Sequence, residues 1–137
     1  MRLALALSLA LLTACNADDG TGSGTSSTPA GDPTLAFVSP KEGESISGGS
    51  NGDVNVELAV ENITLVARGQ GTGNGTEGFI LLTPDGDTSK QSEMNARTTS
   101  MSGLFAGPHK LTAELVTPDG EPFDPAIVAE VSFEVVP

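Results

Sequence analysis

The chain has 137 residues, 18 acidic against 6 basic side chains, a net charge of −12 and a single cysteine. This length allows one domain of ordinary size with one core, and a lone cysteine excludes an internal disulfide framework. The acidic charge argues against binding to nucleic acid or to anionic lipid headgroups, because both need clusters of Lys and Arg.

The first residues have the layout of a secretory signal peptide. Arg2 gives a short positive region, Leu3 to Leu12 form an apolar run broken only by Ser8, and two small residues follow. The apolar run is too short to span a bilayer, which needs about 20 residues. The pattern therefore predicts a signal peptide at residues 1–14. Without lipid attachment, the same signal would release a soluble secreted protein.

The residues Leu12, Thr13, Ala14 and Cys15 close this signal. They resemble the lipobox of bacterial lipoproteins, in which cleavage precedes the cysteine and lipid is attached to its sulfur and to the new amino terminus. The resemblance implies that Cys15 is the lipidation site and that the mature protein is held on a membrane. Stable anchoring needs two or more acyl chains. In Gram-negative families, an aspartate directly after the cysteine favours retention in the inner membrane. This chain has Asn16 there, which favours the outer membrane.

The segment after the cysteine is rich in Gly, Ser and Thr and has no apolar periodicity. Such a composition cannot bury enough surface to offset the entropy of ordering. Residues 15–33 are therefore predicted to be the lipidated cysteine and a flexible linker, with a reach of roughly 20–25 Å.

Residues 34–137 contain all five phenylalanines and a period of two in hydrophobicity, typical of β-strands with one wet face. The alternating segments are Val54 to Val60, Lys110 to Val116 and Glu130 to Val135. The apolar runs Leu35 to Val38 and Phe79 to Leu82 predict strands covered on both faces or at the sandwich centre. A weaker strand is predicted over Ala96 to Met101.

Turn signals separate these segments, and no window has a helical period. The sequence Thr-Pro-Asp-Gly occurs at residues 83–86 and again at 117–120, each time after an apolar pair. Pro presets the first turn dihedral and Gly tolerates a positive φ, so both are predicted to be hairpin turns. The pattern predicts an all-β domain at 34–137, a single antiparallel β-sandwich of about seven strands.

The second half of the chain is similar to immunoglobulin-like and fibronectin type III-like modules. Leu104 to Leu115 resembles their E–F corner, with a leucine, a tight glycine turn and the start of strand F. A bacterial Ig-like module of secreted and lipid-anchored proteins is closer still. It is matched by Phe37 to Pro40, Gly43, Gly107, His109, Leu111, Pro122, Pro125, Val131, Phe133 and Val135. Members with a Gly-His-x-His pattern differ from this chain, which has no histidine in Glu77 to Leu82.

Two loops are candidate ligand sites. Gly69 to Gly75 contains four glycines, but their spacing does not fit a phosphate loop, so an inter-strand loop is expected, with a binding loop at one end of the sandwich as the alternative. Asp85, Asp87, Ser89 and Glu93 resemble the start of a calcium loop. The positions that need Gly and Glu in an EF-hand hold Lys90 and Ala96. A solvated turn is expected here, with weak surface calcium binding as the alternative.

The only histidine invites a catalytic or metal role. Met94, Met101 and His109 are soft ligands that could suit Cu(I), although both methionines could equally fill the core. His109 opens a strand after a turn, where related sandwiches place a tyrosine that packs across the corner. We expect its ring to pack there, with one nitrogen donating to a backbone carbonyl.

The sequence thus predicts a lipid-anchored envelope lipoprotein that acts as a binding or structural module. Its partners would be the membrane, through lipid on Cys15, and an envelope protein or glycan. No catalytic residue, cofactor or metal site is predicted. The alternative is a periplasmic protein that handles copper or calcium, and an enzyme of unknown class is the third possibility.

Overall fold

The computed structural model of the chain describes residues 31–137. The predicted signal peptide at 1–14, Cys15 and residues 16–30 of the predicted linker lie outside the described residues. Among the described residues, no helix has the length and apolar character needed to cross a membrane.

Nine β-strands make up nearly all the regular structure of this part of the chain. They are β1 (Thr34–Ser39), β2 (Ser45–Ser47), β3 (Val54–Glu61), β4 (Thr64–Leu65), β5 (Glu77–Pro84), β6 (Ser92–Met94), β7 (Thr98–Met101), β8 (Gly107–Val116) and β9 (Pro122–Val136). Two short 3-10 turns, Gly49–Asn51 and Thr88–Lys90, lie in the connections.

The strands form a three-stranded sheet and a larger sheet. The three-stranded sheet has the order β1-β3-β7, and the large sheet has the order β2-β9-β8-β5-β4, with β6 also paired to β5. The all-β sandwich is therefore confirmed. It is not wholly antiparallel, because β2 pairs parallel with β9 and β4 pairs parallel with β5. Both exceptions are short segments at a sheet edge, and β2 reaches that edge after the chain crosses from the other sheet.

The core lies between the two sheets. The inward side chains of β3, at 3 % exposure or less, face those of β8 and β9, at 4 % or less. They are Val54, Val56, Leu58 and Val60 on β3, Leu111, Ala113 and Leu115 on β8, and Val131, Phe133 and Val135 on β9. Burying each Val, Leu or Phe side chain contributes about 1.5–3 kcal/mol. The period of two thus acts as predicted in all three strands.

The two continuous apolar runs behave differently. Phe79 to Leu82 in β5 is covered on both faces as predicted, since Ile80 and Leu82 point into the core and Phe79 is only 1 % exposed. Leu35 to Val38 forms the predicted strand, but its predicted covering is wrong. In β1, half-buried residues alternate with exposed ones, because nothing covers the outer face of the three-stranded sheet in the described part of the chain.

The repeated Thr-Pro-Asp-Gly turns both lie where hairpins were expected. At 117–120, the Gly120 N–H donates to the Thr117 carbonyl at 2.8 Å and closes the β8–β9 hairpin. At 83–86, the turn follows β5 and leads to β6, which returns antiparallel along β5. The weaker strand predicted from residue 96 begins at Thr98, and β6 was missed because three residues carry no periodic signal.

We predict that Gly52→Ala unfolds the sandwich more readily than Gly43→Ala. Both glycines have positive φ, 64° and 73°. A Cβ at Gly52 would lie 2.6 Å from the Leu104 carbonyl, whereas nothing lies within 4 Å at Gly43. Gly43→Ala should cost about 1–2 kcal/mol for its backbone conformation, and Gly52→Ala about 3 kcal/mol or more. Urea denaturation measures both, and equal losses would contradict this packing.

Candidate functional site

His109 lies at the start of β8 and both of its ring nitrogens are engaged. Nδ1 is 2.8 Å from Asp85 Oδ2, and Nε2 is 2.7 Å from the Phe105 carbonyl oxygen. A carbonyl and a carboxylate can only accept hydrogen bonds, so each nitrogen must carry a proton to make both. The site therefore favours the imidazolium form. The predicted bond from the ring to a carbonyl is confirmed.

Asp85, predicted only as a calcium candidate, also belongs to this corner, and sequence reasoning missed its contact with His109. Its Oδ1 accepts the Lys110 N–H at 2.9 Å, while its own N–H donates to the Lys110 carbonyl at 2.7 Å. It therefore joins the 83–86 turn to β8 through both backbone and side chain. Asp85 and His109 are 24 residues apart, and nothing in their local sequence signals the contact.

The pKa values of both groups move in the direction that favours the ion pair. Partial burial lowers the pKa of His109, but the bonds to the Phe105 carbonyl and to Asp85 outweigh this effect, and the pKa is raised above 6.5. Partial burial likewise raises the pKa of Asp85. The hydrogen bonds from Lys110 and His109 dominate, and its pKa falls below 3.8.

The predicted calcium candidates do not converge. Asp85 is bound to His109, Asp87 Oδ1 accepts the Ser89 N–H at 3.0 Å, and Glu93 pairs with Arg68 Nε at 2.7 Å. Asp87 thereby caps the 3-10 turn that follows it. Within residues 31–137, no group of three His, Cys, Asp or Glu side chains is placed to hold a metal ion.

The copper candidates are also dispersed. Met94 lies on β6 opposite Ile80, and Met101 lies on β7 of the other sheet. Leu115 of β8 is also opposite Ile80. His109 is six residues along β8 from Leu115, a separation of about 20 Å at the rise of an extended strand. Met94 is 7 % exposed, as expected of a core filler.

The glycine-rich segment 69–75 is an inter-strand loop, as expected. It joins β4 to β5 and packs on the hairpin turn of β8 and β9, where the Gly69 N–H donates to the Pro118 carbonyl at 2.8 Å. Thr72 donates through its hydroxyl to Glu77 at 2.8 Å, and the Asn74 side chain accepts the Thr76 N–H at 2.9 Å. These groups bind their own chain.

Arg68 forms a second cluster that the sequence did not reveal. Its guanidinium lies 4.7 Å from the ring centroid of Phe79 and binds Glu93. The arginine thus covers the outward face of a buried aromatic ring, beside a cavity of about 160 Å³. The close fit of the guanidinium to ring and carboxylate indicates a structural role in holding the 66–75 loop on the sheet.

Several larger depressions lie in residues 31–137, including one of about 360 Å³ along β3 and β7 and another of about 360 Å³ beside β4. Two others lie beside His109 and beside β1. One, of about 560 Å³, lies over the His109 corner, where the charged groups are already paired, as in the 3.0 Å contact of Lys110 Nζ with Glu130. The other, of about 330 Å³, lies between β1 and β9 and is lined by Leu35, Phe37 and Val131 among others. Its walls are largely apolar, with Lys41, Glu42 and Glu130 among the lining residues, and they lie at the edges of two different sheets.

We predict that the free energy of unfolding falls as the pH rises through the neutral range. The pKa of His109 is raised in the folded state, so its contribution is fully present below about 6.5 and is lost as the pH passes the folded pKa. The opposite holds for Asp85, whose contribution is lost as the pH falls below about 3.8. Stability should therefore be greatest between these limits. Urea denaturation from pH 4 to 9 measures it.

His109→Gln is the matched variant, because glutamine does not titrate and has one amide nitrogen in place of the two ring nitrogens. His109 is the only histidine, so the decline in the neutral range should vanish in this variant. Its unfolding free energy at pH 6 should be lower by about 1–3 kcal/mol. An unchanged neutral decline in the variant would show that His109 is not its source.

Comparison with known proteins gives a fold and no family. No family model matches the chain, and no curated protein matches it. Among solved structures, it is similar to the fibronectin(III)-like modules of CbhA from Clostridium thermocellum, with TM-score 0.51, 23 % identity, and coverage of 74 % of this chain and 94 % of that chain. It also matches the PKD domain of human KIAA0319, with TM-score 0.45, 15 % identity, and coverage of 86 % and 93 %. The first likeness supports a fibronectin type III-like sandwich.

Proposed function

We propose that this chain is a lipid-anchored protein of a bacterial cell envelope, whose fibronectin type III-like sandwich acts as a binding or structural module. The observation that carries the anchor is the sequence Leu12, Thr13, Ala14 and Cys15 directly after a short apolar run. Lipid on Cys15 would hold the mature chain at a membrane, and Asn16 after it favours the outer one.

The nature of the described domain supports a non-catalytic role. The single histidine engages both ring nitrogens with acceptors, so neither is available as a general base for a nucleophile. Several of its carboxylates bind groups of their own chain, as Asp85, Asp87 and Glu93 do. What the sandwich offers a partner is strand edges, sheet faces and loops.

The segment between anchor and sandwich fits this role. Residues 16–33 contain no large apolar side chain and many Gly, Ser and Thr, and such a segment could lift the domain roughly 20–25 Å from its lipid. At that distance, the edges and loops of the sandwich would reach an envelope protein or glycan beyond the headgroups.

Cys15→Ser tests the anchor. The variant should lose acyl labelling and move from the detergent phase to the aqueous phase, because serine offers no sulfur for lipid attachment. The double variant Cys15→Ser with Ser23→Cys is a matched control that keeps one thiol outside the motif, and it too should stay unlabelled. Wild-type labelling or partitioning of the Cys15→Ser chain would contradict the proposal.

A further inference from the structure

The edge of β9 is covered over only part of its length. β2 pairs with it at Glu134–Val136. Next to β2, the Gly43 N–H donates to the Ser132 carbonyl at 2.8 Å, and the Ser132 N–H donates to a Glu42 carboxylate oxygen at 2.9 Å. The part of β9 that precedes Ser132 is different. Within residues 31–137, its side facing away from β8 makes no backbone hydrogen bond to another segment.

The direction of the backbone groups follows from these bonds. Ser132 makes them on the side away from β8, and the β8–β9 register runs without a shift from Gly107 to Leu115. Since successive residues of a strand point their N–H and C=O groups to opposite sides, Glu130 and Val128 also point theirs away from β8. Two donors and two acceptors thus lie open on this edge.

In the part of the chain that the structure describes, the neighbouring edge of β1 is open in the same way. The Leu58 N–H donates to the Arg97 carbonyl at 2.8 Å, on the β7 side of β3. Phe37 is opposite Leu58 and Leu35 is opposite Val60, so both are non-hydrogen-bonded pairs. The N–H and C=O groups of Leu35 and Phe37 therefore point away from β3, and β1 lies beside β9.

Between these two edges lies the 330 Å³ groove described above, which we call the β1–β9 groove. Its apolar lining includes Leu35, Phe37 and Val131, and Glu42, Glu130 and Lys41 border it. Glu42 also accepts the Ser132 N–H, and Glu130 also contacts Lys110, but the Glu130–Lys110 pair is half exposed and such pairs contribute little, so a partner cation could replace the lysine. An apolar groove flanked by unpaired strand edges fits an extended strand, with main-chain bonds for affinity and alternate side chains in the groove.

The acidic charge of the domain indicates which kind of segment the groove can bind. Sixteen acidic and five basic residues lie in 31–137, since Asp18, Asp19 and Arg2 precede this part. A second copy of the chain would bring like charge edge to edge. Residues 16–30 of the same chain include two Asp, no Lys or Arg, and no apolar side chain larger than Ala or Pro. Neither complements the groove as a basic strand does.

We propose that the β1–β9 groove binds an extended, basic segment of a partner protein, which adds as a strand to the edge of β9. This inference rests on the proposed function, because it names the surface and partner class of the binding module. Small apolar side chains of the segment would enter the groove, and alternate Lys or Arg side chains would lie near Glu42 and Glu130.

The test uses hydrogen–deuterium exchange of the complete chain in mild detergent with a capped peptide of alternating Lys and Val. Exchange should slow at residues 127–131 and 34–38 and stay unchanged at 98–101. A peptide of alternating Glu and Val should have no effect. Val128→Pro removes one open N–H from an edge, where proline is tolerated, and should weaken the peptide's apparent affinity at least tenfold.

Ser100→Pro is the matched control on the far edge of the three-stranded sheet. Ser100 is opposite Asn55 in a non-hydrogen-bonded pair, so its N–H also points outward. This variant should bind the peptide as the wild type does. If Val128→Pro does not fold, Glu130→Gln replaces it as the test, because it leaves the backbone unchanged. Glu130→Gln should weaken binding of the basic peptide about threefold at low salt.

Four results would overturn the proposal: no slowing by the basic peptide, equal slowing by the acidic one, slowing at 98–101, or slowing that depends on protein concentration alone. The last would show that a second copy occupies the edge. Any of these results together with normal acylation at Cys15 would contradict the proposal for the groove without contradicting the proposed lipid-anchored binding module.

Discussion

The packing of β3 against β8 and β9 is the interaction on which the rest of the structure depends. The four inward side chains of β3 are at most 3 % exposed, and they meet the inner faces of two strands that are paired along their length. This apolar layer fixes the distance between the sheets and hence the position of every edge and corner. The His109 corner and the β1–β9 groove both lie at its margins, where the inner layer gives way to polar contacts.

The two margins differ in how the polar groups are satisfied. At the corner, backbone and side chains pair within the chain, as in the bonds of Asp85 with His109 and Lys110. At the β9 edge, Glu42 and Gly43 cover Ser132, and the cover stops there. Natural sandwiches commonly protect exposed edges with charge. Here the protecting charges are acidic, so the edge repels like chains while favouring a basic strand.

Much of the fold could be predicted because its inner faces carry a strict period of two. Val54 to Val60 and Val131 to Val135 have inward apolar and outward polar residues, so the strands and the sandwich follow directly from the pattern. The prediction of covering failed at Leu35 to Val38, because an apolar run does not reveal whether another layer packs on the outer face of its sheet. The parallel pairing of β2 was missed because three residues carry no directional signal.

The candidate site was less predictable, because its contacts join residues distant in sequence. The carbonyl bond of His109 could be expected from its place near the start of a strand, as a local property of the corner, although Gly107 and Pro108, which were predicted to form a turn, already belong to β8. Its ion pair with Asp85 depends on where the 83–86 turn lies against β8. Arg68 reaches Glu93 and Phe79 only because two loops fold over the same face. Lipidation at Cys15 remains a prediction from sequence.

Residue-resolved amide exchange of the chain without any peptide tests the open edge most directly. The account predicts that the amides of Val128 and Glu130 exchange rapidly, while those of Ile127 and Ala129, which point toward β8, are protected. This alternation follows from the register of β8 and β9. Uniform protection from residue 127 to 131 would show that the edge of β9 is already covered, and would contradict the account.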